Sequence, residues 1–199
     1  MEEDIYKTIK ESSSGFYSEK RSKFYAFAHP VCSIEEAKEL IDSYRHKYYS
    51  ARHVCWAYMI GPDRACFRAY DDGEPSSTAG KPILGQLNSN ALTNCLIVVV
   101  RYYGGVPLGT GGLLVAYRTA AAEALAKASV VEKTVDEDVY IFFDYAHMNG
   151  IMRIIKEEKP EVVSQRFEMT CEMKLRIRKG KIECLRERLK KVPSCRLKD

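Results

Sequence analysis

Hydrophobic and polar residues recur along this chain with two different periods, and these periods predict its first strands and helix. The aromatic and small apolar residues of 22–31 predict a strand. Ser33 and Glu36 form a capping box, and apolar residues at helical spacing follow them, which predicts a helix. Two apolar runs, HVCWAYMIG and ACFRAYD, flank the turn residues GPDR and predict a hairpin.

Two loops lie in the middle of the chain, and each leads into a predicted helix. The acidic loop, DDGEPSSTAGKP at 71–82, is rich in turn-forming residues and precedes a predicted short helix at 83–92. The apolar strand at 95–103 then enters the glycine loop, GGVPLGTGG at 104–112. An alanine-rich helix is predicted at 113–128.

A change of pattern after residue 128 indicates a second domain. The polar and β-branched stretch that follows predicts a boundary near residue 134. Beyond it, the predicted elements have the order βαββαβ, which is typical of the ferredoxin-like arrangement. The predicted fold class is therefore α+β, with an N-terminal α/β domain at 1–133 and a C-terminal ferredoxin-like domain at 134–199.

Composition excludes several classes of protein. No uninterrupted apolar stretch approaches the roughly 20 residues that a membrane-spanning helix needs. The first ten residues, MEEDIYKTIK, lack the basic and apolar regions of a signal peptide. Seven cysteines without a C-x-x-C pair predict no zinc site and a reducing compartment. We expect a soluble cytoplasmic protein with no membrane partner.

The positive charge is concentrated near the C-terminal end. The net charge of the whole chain is +4, whereas residues 174–198 contain eleven Lys or Arg against two Glu, a local excess of 11 − 2 = +9. This stretch has two interpretations: a solvated helix face, or a surface that binds polyanions such as RNA. Lys190 and Lys191 lie off the apolar stripe of the last predicted helix and are expected to be exposed.

The glycine loop matches neither common phosphate-binding motif. Its glycines have neither the G-x-G-x-x-G spacing of a dinucleotide fold nor the G-K-[ST] ending of a Walker A loop. Backbone N–H groups at a helix N-terminus still favour an anion, for which Arg101 and Lys81 would supply countercharge. The alternative is that the glycines allow positive φ and close packing. The glycines concerned are Gly104, Gly105, Gly109, Gly111 and Gly112.

The acidic loop and one histidine are the remaining candidates for chemistry. Asp71, Asp72 and Glu74 could hold a cation or act as acid and base, but turns also select such residues for local hydrogen bonds. His53 begins an apolar strand, where a structural role competes with a catalytic one. No nucleophile motif is present. The sequence therefore assigns no catalytic residue, metal or cofactor.

The two loops together resemble a known family. The segments at 71–84 and 98–117, with those at 22–31 and 51–58, are similar to the Impact/YigZ family over most of residues 15–128. The resemblance implies an N-terminal domain like the second domain of a small-subunit ribosomal protein and domain four of elongation factor G. It also implies an appended ferredoxin-like domain.

The resemblance implies binding rather than catalysis. Eukaryotic relatives regulate translation through a protein partner, and bacterial ones are suggested to bind nucleic acid or the ribosome. We therefore expect a non-enzymatic, translation-linked regulatory protein that binds RNA or the ribosome. A protein–protein adaptor and a small enzyme acting on a phosphorylated or nucleotide substrate between the two loops are the alternatives.

The family motifs and the basic stretch together define the expected binding residues. Val115 stands where the family usually has an arginine, which removes a basic group beside the glycine loop. The expected ligand-binding or nucleic-acid-binding residues are His53, Asp71, Asp72, Glu74, Thr78, Lys81, Arg101, Tyr102, Gly104, Gly105, Gly109, Gly111, Gly112, Lys190 and Lys191.

Overall fold

The computed structural model describes residues 4–198, which divide into two compact units. The first unit comprises Tyr6–Lys133, and the second comprises residues from Thr134 onward together with Asp4 and Ile5. Asp4 and Ile5 thus group with the second unit, although the predicted N-terminal domain included them. Among the described residues, no helix is both long and apolar enough to cross a membrane.

The first unit is built on a five-stranded antiparallel sheet. Apolar side chains alternate between the two faces of its strands, so each face needs a covering layer. The strands follow the spatial order β2-β3-β6-β4-β5, while β1 and β7 form a separate two-stranded sheet. Their bounds are β1 Ile5–Ile9, β2 Ser13–Glu19, β3 Ser22–Pro30, β4 His53–Ile60, β5 Cys66–Tyr70, β6 Cys95–Tyr102 and β7 Val130–Thr134.

Three helices cover the two faces of the larger sheet. They are α1 at Ile34–Lys47, α2 at Gly80–Ser89 and α3 at Gly109–Ala126. Helices α2 and α3 bury one face in a core rich in alanine, and α1 lies on the other face, where aromatic residues dominate. The sequence predicts all three helices and strands β3 to β6, but not the strands β1, β2 and β7.

Two of these helices begin earlier than the sequence predicts. Helix α2 begins at Gly80 instead of residue 83, because the Asp71 carboxylate accepts the backbone N–H groups of Ala79 and Gly80 at 3.0 and 2.8 Å. Helix α3 begins at Gly109, so three of the five loop glycines belong to its first turn. Ser33 caps α1 as predicted, since its hydroxyl accepts the Glu36 N–H at 3.1 Å, but the Glu36 carboxylate accepts the N–H of Cys32 at 2.7 Å instead of the Ser33 N–H of a capping box.

The second unit has the predicted ferredoxin-like arrangement. Its sheet has the order β11-β8-β10-β9, with all neighbours antiparallel. The apolar stripe of α5 is buried as its spacing predicts. The elements are β8 Asp136–Asp144, α4 Met148–Glu158, β9 Glu161–Phe167, β10 Thr170–Arg178, α5 Ile182–Lys190 and β11 Arg196–Lys198. The predicted α+β fold class is confirmed.

Candidate functional site

The acidic loop and the glycine loop converge in the first unit, where they line one cavity of about 460 Å³. We call it the loop cleft. Glu74 and Pro75 line it from the acidic loop, and residues 107–110 line it from the glycine loop and the start of α3. Arg52, His53 and Arg101 complete the wall from the neighbouring ends of β4 and β6.

The Glu74 carboxylate is the centre of a buried polar cluster in the cleft wall. Its Oε1 lies 2.5 Å from Nη1 of Arg101 and accepts the hydroxyl of Tyr117 at 2.7 Å. Only 3% of the Glu74 side chain and 6% of the Arg101 side chain are exposed. The Arg101 guanidinium also lies 5.5 Å from the ring centroids of Phe24 and Tyr103. The Glu74–Arg101 ion pair is therefore surrounded by Tyr117 and by the rings of Phe24 and Tyr103.

Tyr117 extends the buried polar cluster of Glu74 from the cleft wall into the core. Its hydroxyl donates to Glu74, and the Sγ–H of Cys55 has two acceptors within reach, the Asp71 carbonyl at 3.0 Å and the Tyr117 hydroxyl at 3.3 Å. Burial is the main cause that raises the pKa of the Tyr117 hydroxyl far above its usual range. Burial is also the main cause that raises the pKa of the Cys55 thiol. Both groups therefore stay protonated at neutral pH and act as hydrogen-bond donors. The sequence alone indicates neither as a site residue, although Tyr117 lies within the segment 98–117 that resembles the family.

His53 is oriented by the acidic loop. Its Nδ1–H donates to the Asp72 carbonyl at 2.7 Å, so Nδ1 carries the proton in the neutral ring. Its Nε2 lies 3.7 Å from Oε1 of Glu74. Asp72 itself has a left-handed φ of 46°, and its carboxylate accepts the Val54 N–H at 2.7 Å. Arg45 lies 3.5 Å from the other carboxylate oxygen of Asp72.

The rest of the acidic loop is held by its own hydrogen bonds. The Asp71 carboxylate accepts the backbone N–H of Ser77 at 2.8 Å, in addition to the two N–H groups at the start of α2. The Thr78 hydroxyl donates to the Pro75 carbonyl at 2.6 Å. Each carboxylate of Asp71, Asp72 and Glu74 thus already accepts donors of the chain. Within residues 4–198, no three or more His, Cys, Asp or Glu side chains are grouped so that they could hold a metal ion.

The glycines of the glycine loop have separate roles. A Cβ on Gly104 would lie 2.1 Å from the carbonyl carbon of Arg21, so this glycine permits close packing of two backbone segments. Gly105 and Gly109 have positive φ values of 85° and 71°. Within residues 4–198, no side chain caps the N-terminus of α3, whose first residues, Gly109 and Thr110, line the cleft. The loop is therefore a tight corner that also presents unpaired donors.

Comparison with known proteins identifies the family of this site. Residues 20–125, which contain both loops, match the family model of the Impact N-terminal domain. The chain belongs to the IMPACT family. Among its relatives, the IMPACT family member YigZ of Escherichia coli is 34% identical over 151 residues, covering 75% of this chain and 74% of that protein. The resemblance found in the sequence is confirmed.

Two further comparisons extend the likeness to known proteins beyond the first unit. A Haemophilus influenzae IMPACT family member is 33% identical over 183 residues, covering 89% of this chain and 87% of that protein. A solved structure described as a hypothetical protein matches with a TM-score of 0.75 and 28% identity, covering 98% of this chain and 96% of the other. The two-unit fold is thus shared with a solved structure.

Several expected site residues lie outside the loop cleft of this IMPACT family chain. Lys81 lines a different hollow with Arg118, on the surface of α2 and α3. The Tyr102 ring packs edge-on against Tyr25, with centroids 6.1 Å apart, on the α1 side of the sheet. The proposed countercharge of Arg101 is already used by Glu74, since both are buried and adjacent. Neither Arg101 nor Lys81 therefore provides a free cation in the cleft.

The basic stretch of the second unit is less basic in the folded chain than in the sequence. Lys174 and Arg176 both lie 2.8 Å from the Asp138 carboxylate, and Arg178 lies 2.6 Å from that of Asp4. The neutralising carboxylates come from other parts of the sequence, which a local count of charge does not include. Lys190 and Lys191 are exposed, and neither has an ion pair among the described residues. Two further arginines are paired, Arg186 with Glu183, and Arg188 with Glu157 and Glu158.

Proposed function

We propose that this IMPACT family chain is a non-enzymatic, translation-linked regulatory protein that binds RNA or the ribosome in the cytoplasm. One observation carries the proposal: donors of the chain itself bind both carboxylate oxygens of Asp71 and of Asp72, and Oε1 of Glu74. Such bonds are the structural use of acidic residues in a turn, which is the alternative to acid and base chemistry. The acidic loop instead holds the residues of the cleft wall in place.

The groups that the cleft offers to a ligand favour an anion. The α3 N-terminus presents backbone N–H groups, and Arg52 on the rim is exposed. Among the described residues, the Arg52 side chain has no ion-pair partner. Helix N-termini and arginines are common contacts of nucleic-acid phosphates. We propose that the first domain, 1–133, contacts RNA phosphates through this cleft.

The second domain, 134–199, contributes exposed cations under the same proposal. Lys190 and Lys191 at the end of α5 are free to contact phosphates, whereas five neighbouring cations are engaged in ion pairs. Because ion pairing reduces the net field of the stretch, we expect a modest contribution from this surface. The alternative is a protein–protein adaptor, in which the same surfaces bind a protein instead of RNA.

Co-sedimentation with ribosomes and with RNA across a salt series tests the proposal. Binding should weaken as salt increases, and Arg52→Glu and the pair Lys190→Glu with Lys191→Glu should each reduce it. Lys133→Glu on β7 makes the same charge change at an exposed position outside the cleft and should have little effect. Binding that is absent at low salt, or equal in all variants, would contradict the proposal.

A second candidate function is a small enzyme acting on a phosphorylated or nucleotide substrate in the loop cleft. It is favoured by the convergence of the two loops and by the 3.7 Å separation of His53 Nε2 and Glu74 Oε1. Thermal shift with nucleotides and inorganic phosphate tests it. A stabilisation that Arg52→Glu removes, followed by turnover of the ligand, would favour the enzyme; turnover lost in His53→Gln would assign the histidine a role.

A further inference from the structure

A second groove lies in the first unit, between α1 and the β4–β5 edge of the large sheet. We call it the aromatic groove. Its cavity has a volume of about 370 Å³. Trp56, Tyr58 and Tyr70 line it from the sheet, and Arg45 lines it from α1. Strand β5 is the last strand of the sheet on this side, so the groove is open along one edge.

The aromatic side chains form a stacked row. Trp56 and Tyr70 are cross-strand partners in the β4–β5 pair, and their rings stack with centroids 5.4 Å apart. Tyr58 follows Trp56 by two residues on the same face, with centroids 5.7 Å apart and planes within 4°. Trp56 and Tyr58 are nearly buried, whereas 40% of Tyr70 is exposed. The row therefore presents an aromatic surface to solvent at Tyr70.

Cations surround this aromatic row. The Arg68 guanidinium lies 5.8 Å from the Trp56 ring centroid, and that of Arg45 lies 5.5 Å from the Tyr70 centroid. Lys38 lies at the rim, where Asp42 is the one acidic lining residue. Among the described residues, neither Lys38 nor Arg68 has an ion-pair partner. Arg45 pairs with Asp72 at 3.5 Å, so Lys38 and Arg68 are the cations that the groove offers to an anionic ligand.

One buried donor in the groove lacks an acceptor. The indole Nε1 of Trp56 is inaccessible and has no hydrogen-bond partner within the described residues. Buried polar groups are nearly always paired, and an unpaired one calls for an explanation. Because the indole nitrogen is inaccessible, a ligand in the groove does not reach it, and Trp56 contributes to the groove through its ring.

We propose that the aromatic groove binds single-stranded RNA, with a base packed against Tyr70 and the guanidinium groups, and with phosphates contacted by Lys38 and Arg68. Single-stranded RNA is recognised by aromatic rings and arginine planes that stack on its bases, within a positively charged groove. Charge complementarity favours this ligand over an extended peptide at the β5 edge, which would not need the two unpaired cations Lys38 and Arg68. The assignment rests on the RNA binding proposed above and adds a second RNA contact in the first unit, besides the loop cleft.

Trp56 is the only tryptophan among the 199 residues, so its fluorescence reports directly on the groove. The experiment titrates the full chain with a fluorescently labelled oligouridylate of about ten nucleotides, within the usual site sizes of ~4–16. Label anisotropy reports RNA binding anywhere on the protein, and tryptophan emission, followed with unlabelled RNA, reports occupancy of the groove. We expect both signals to change with the same dissociation constant.

Matched variants separate stacking from charge. Tyr70→Leu should weaken RNA binding at least about fivefold through lost stacking, while Tyr70→Phe should preserve it. Arg68→Ala should reduce the magnitude of the logarithmic salt slope by roughly 0.7, the value for one phosphate of a single strand. Lys133→Ala should leave the slope unchanged. Arg68 is exposed on the edge strand, so its variant should fold even if Tyr70→Leu does not.

The two readouts distinguish failure of the groove from failure of RNA binding. Anisotropy that rises while tryptophan emission and the Arg68→Ala slope stay unchanged would overturn the groove assignment and leave RNA binding standing. Wild-type protein that shows no anisotropy change would overturn both. An emission change caused by an extended peptide but not by RNA would overturn the assignment in favour of strand addition at β5.

Discussion

Glu74 and Arg101 form a buried ion pair, with Oε1 and Nη1 2.5 Å apart although the two residues are 27 positions apart in the chain. The pair joins the acidic loop to the end of β6, and Tyr117 joins the same oxygen to α3. Removing one charge from such a pair leaves the other unpaired in a low-dielectric environment. The pair therefore holds the loop cleft together.

Breaking this pair from either side should destabilise the first unit. We expect Glu74→Gln and Arg101→Met each to lower the free energy of unfolding by about 3–5 kcal/mol. The double variant should lose less than the sum, because neither charge is then left alone. Urea unfolding followed by Trp56 fluorescence measures this. Lys7→Met, which removes an exposed 4.0 Å pair with Glu132, should cost less than about 1 kcal/mol; equal losses for buried and exposed pairs would refute the expectation.

Two glycines of the glycine loop should respond oppositely to alanine. Gly104→Ala places a Cβ 2.4 Å from the backbone nitrogen of Ser22 and should destabilise the chain by at least about 2 kcal/mol. Gly111, in the first turn of α3, has nothing within 4 Å of a built Cβ, so Gly111→Ala should be neutral or stabilise by up to about 1 kcal/mol. Thermal unfolding of both variants is the measurement. Similar losses of stability at both positions would mean that the room available for a Cβ does not decide the effect.

Acid should weaken the second unit partly through Asp138. Hydrogen bonds from Arg176 and then Lys174 lower the pKa of Asp138 from 3.8 to about 2. Because the folded pKa is depressed, its stabilisation is fully present above about pH 4 and is lost as the pH falls toward 2. Urea unfolding followed by circular dichroism should show a steeper loss between these pH values in wild type than in Asp138→Asn. Parallel pH profiles would count against this role.

The cysteines should separate into fast and slow classes towards alkylation. Cys32 and Cys184 are exposed, whereas Cys55, Cys95 and Cys171 are buried. Burial raises the pKa of Cys95 to about 12, which leaves almost no thiolate at neutral pH. Timed labelling with iodoacetamide and mass spectrometry should find Cys32 and Cys184 modified first. Early modification of Cys95 in folded protein would show that this strand opens.

Much of the fold follows from local patterns. The weakly patterned strands and the first residues of α2 and α3 do not. Strand β2 has one buried residue and strand β7 has none, so their apolar alternation is weak. Helix α2 starts at Gly80 because its cap is Asp71, nine residues earlier, a distance that no local capping pattern covers. Ser33, by contrast, caps α1 from the adjacent position and was predicted. Long-range caps are visible only in the folded chain.

The sequence by itself determined the order of the main elements, the βαββαβ pattern of the second unit and the family of the two loops, because periodicity and motif spacing are local properties. Only the tertiary structure decided which charges are free. It paired Arg101 with Glu74, and Lys174 with Asp138, across long stretches of chain. It also placed Trp56 beside Tyr70 through strand register. The charge and the stacking surface of a site depend on these neighbours in space, which residues distant in sequence supply.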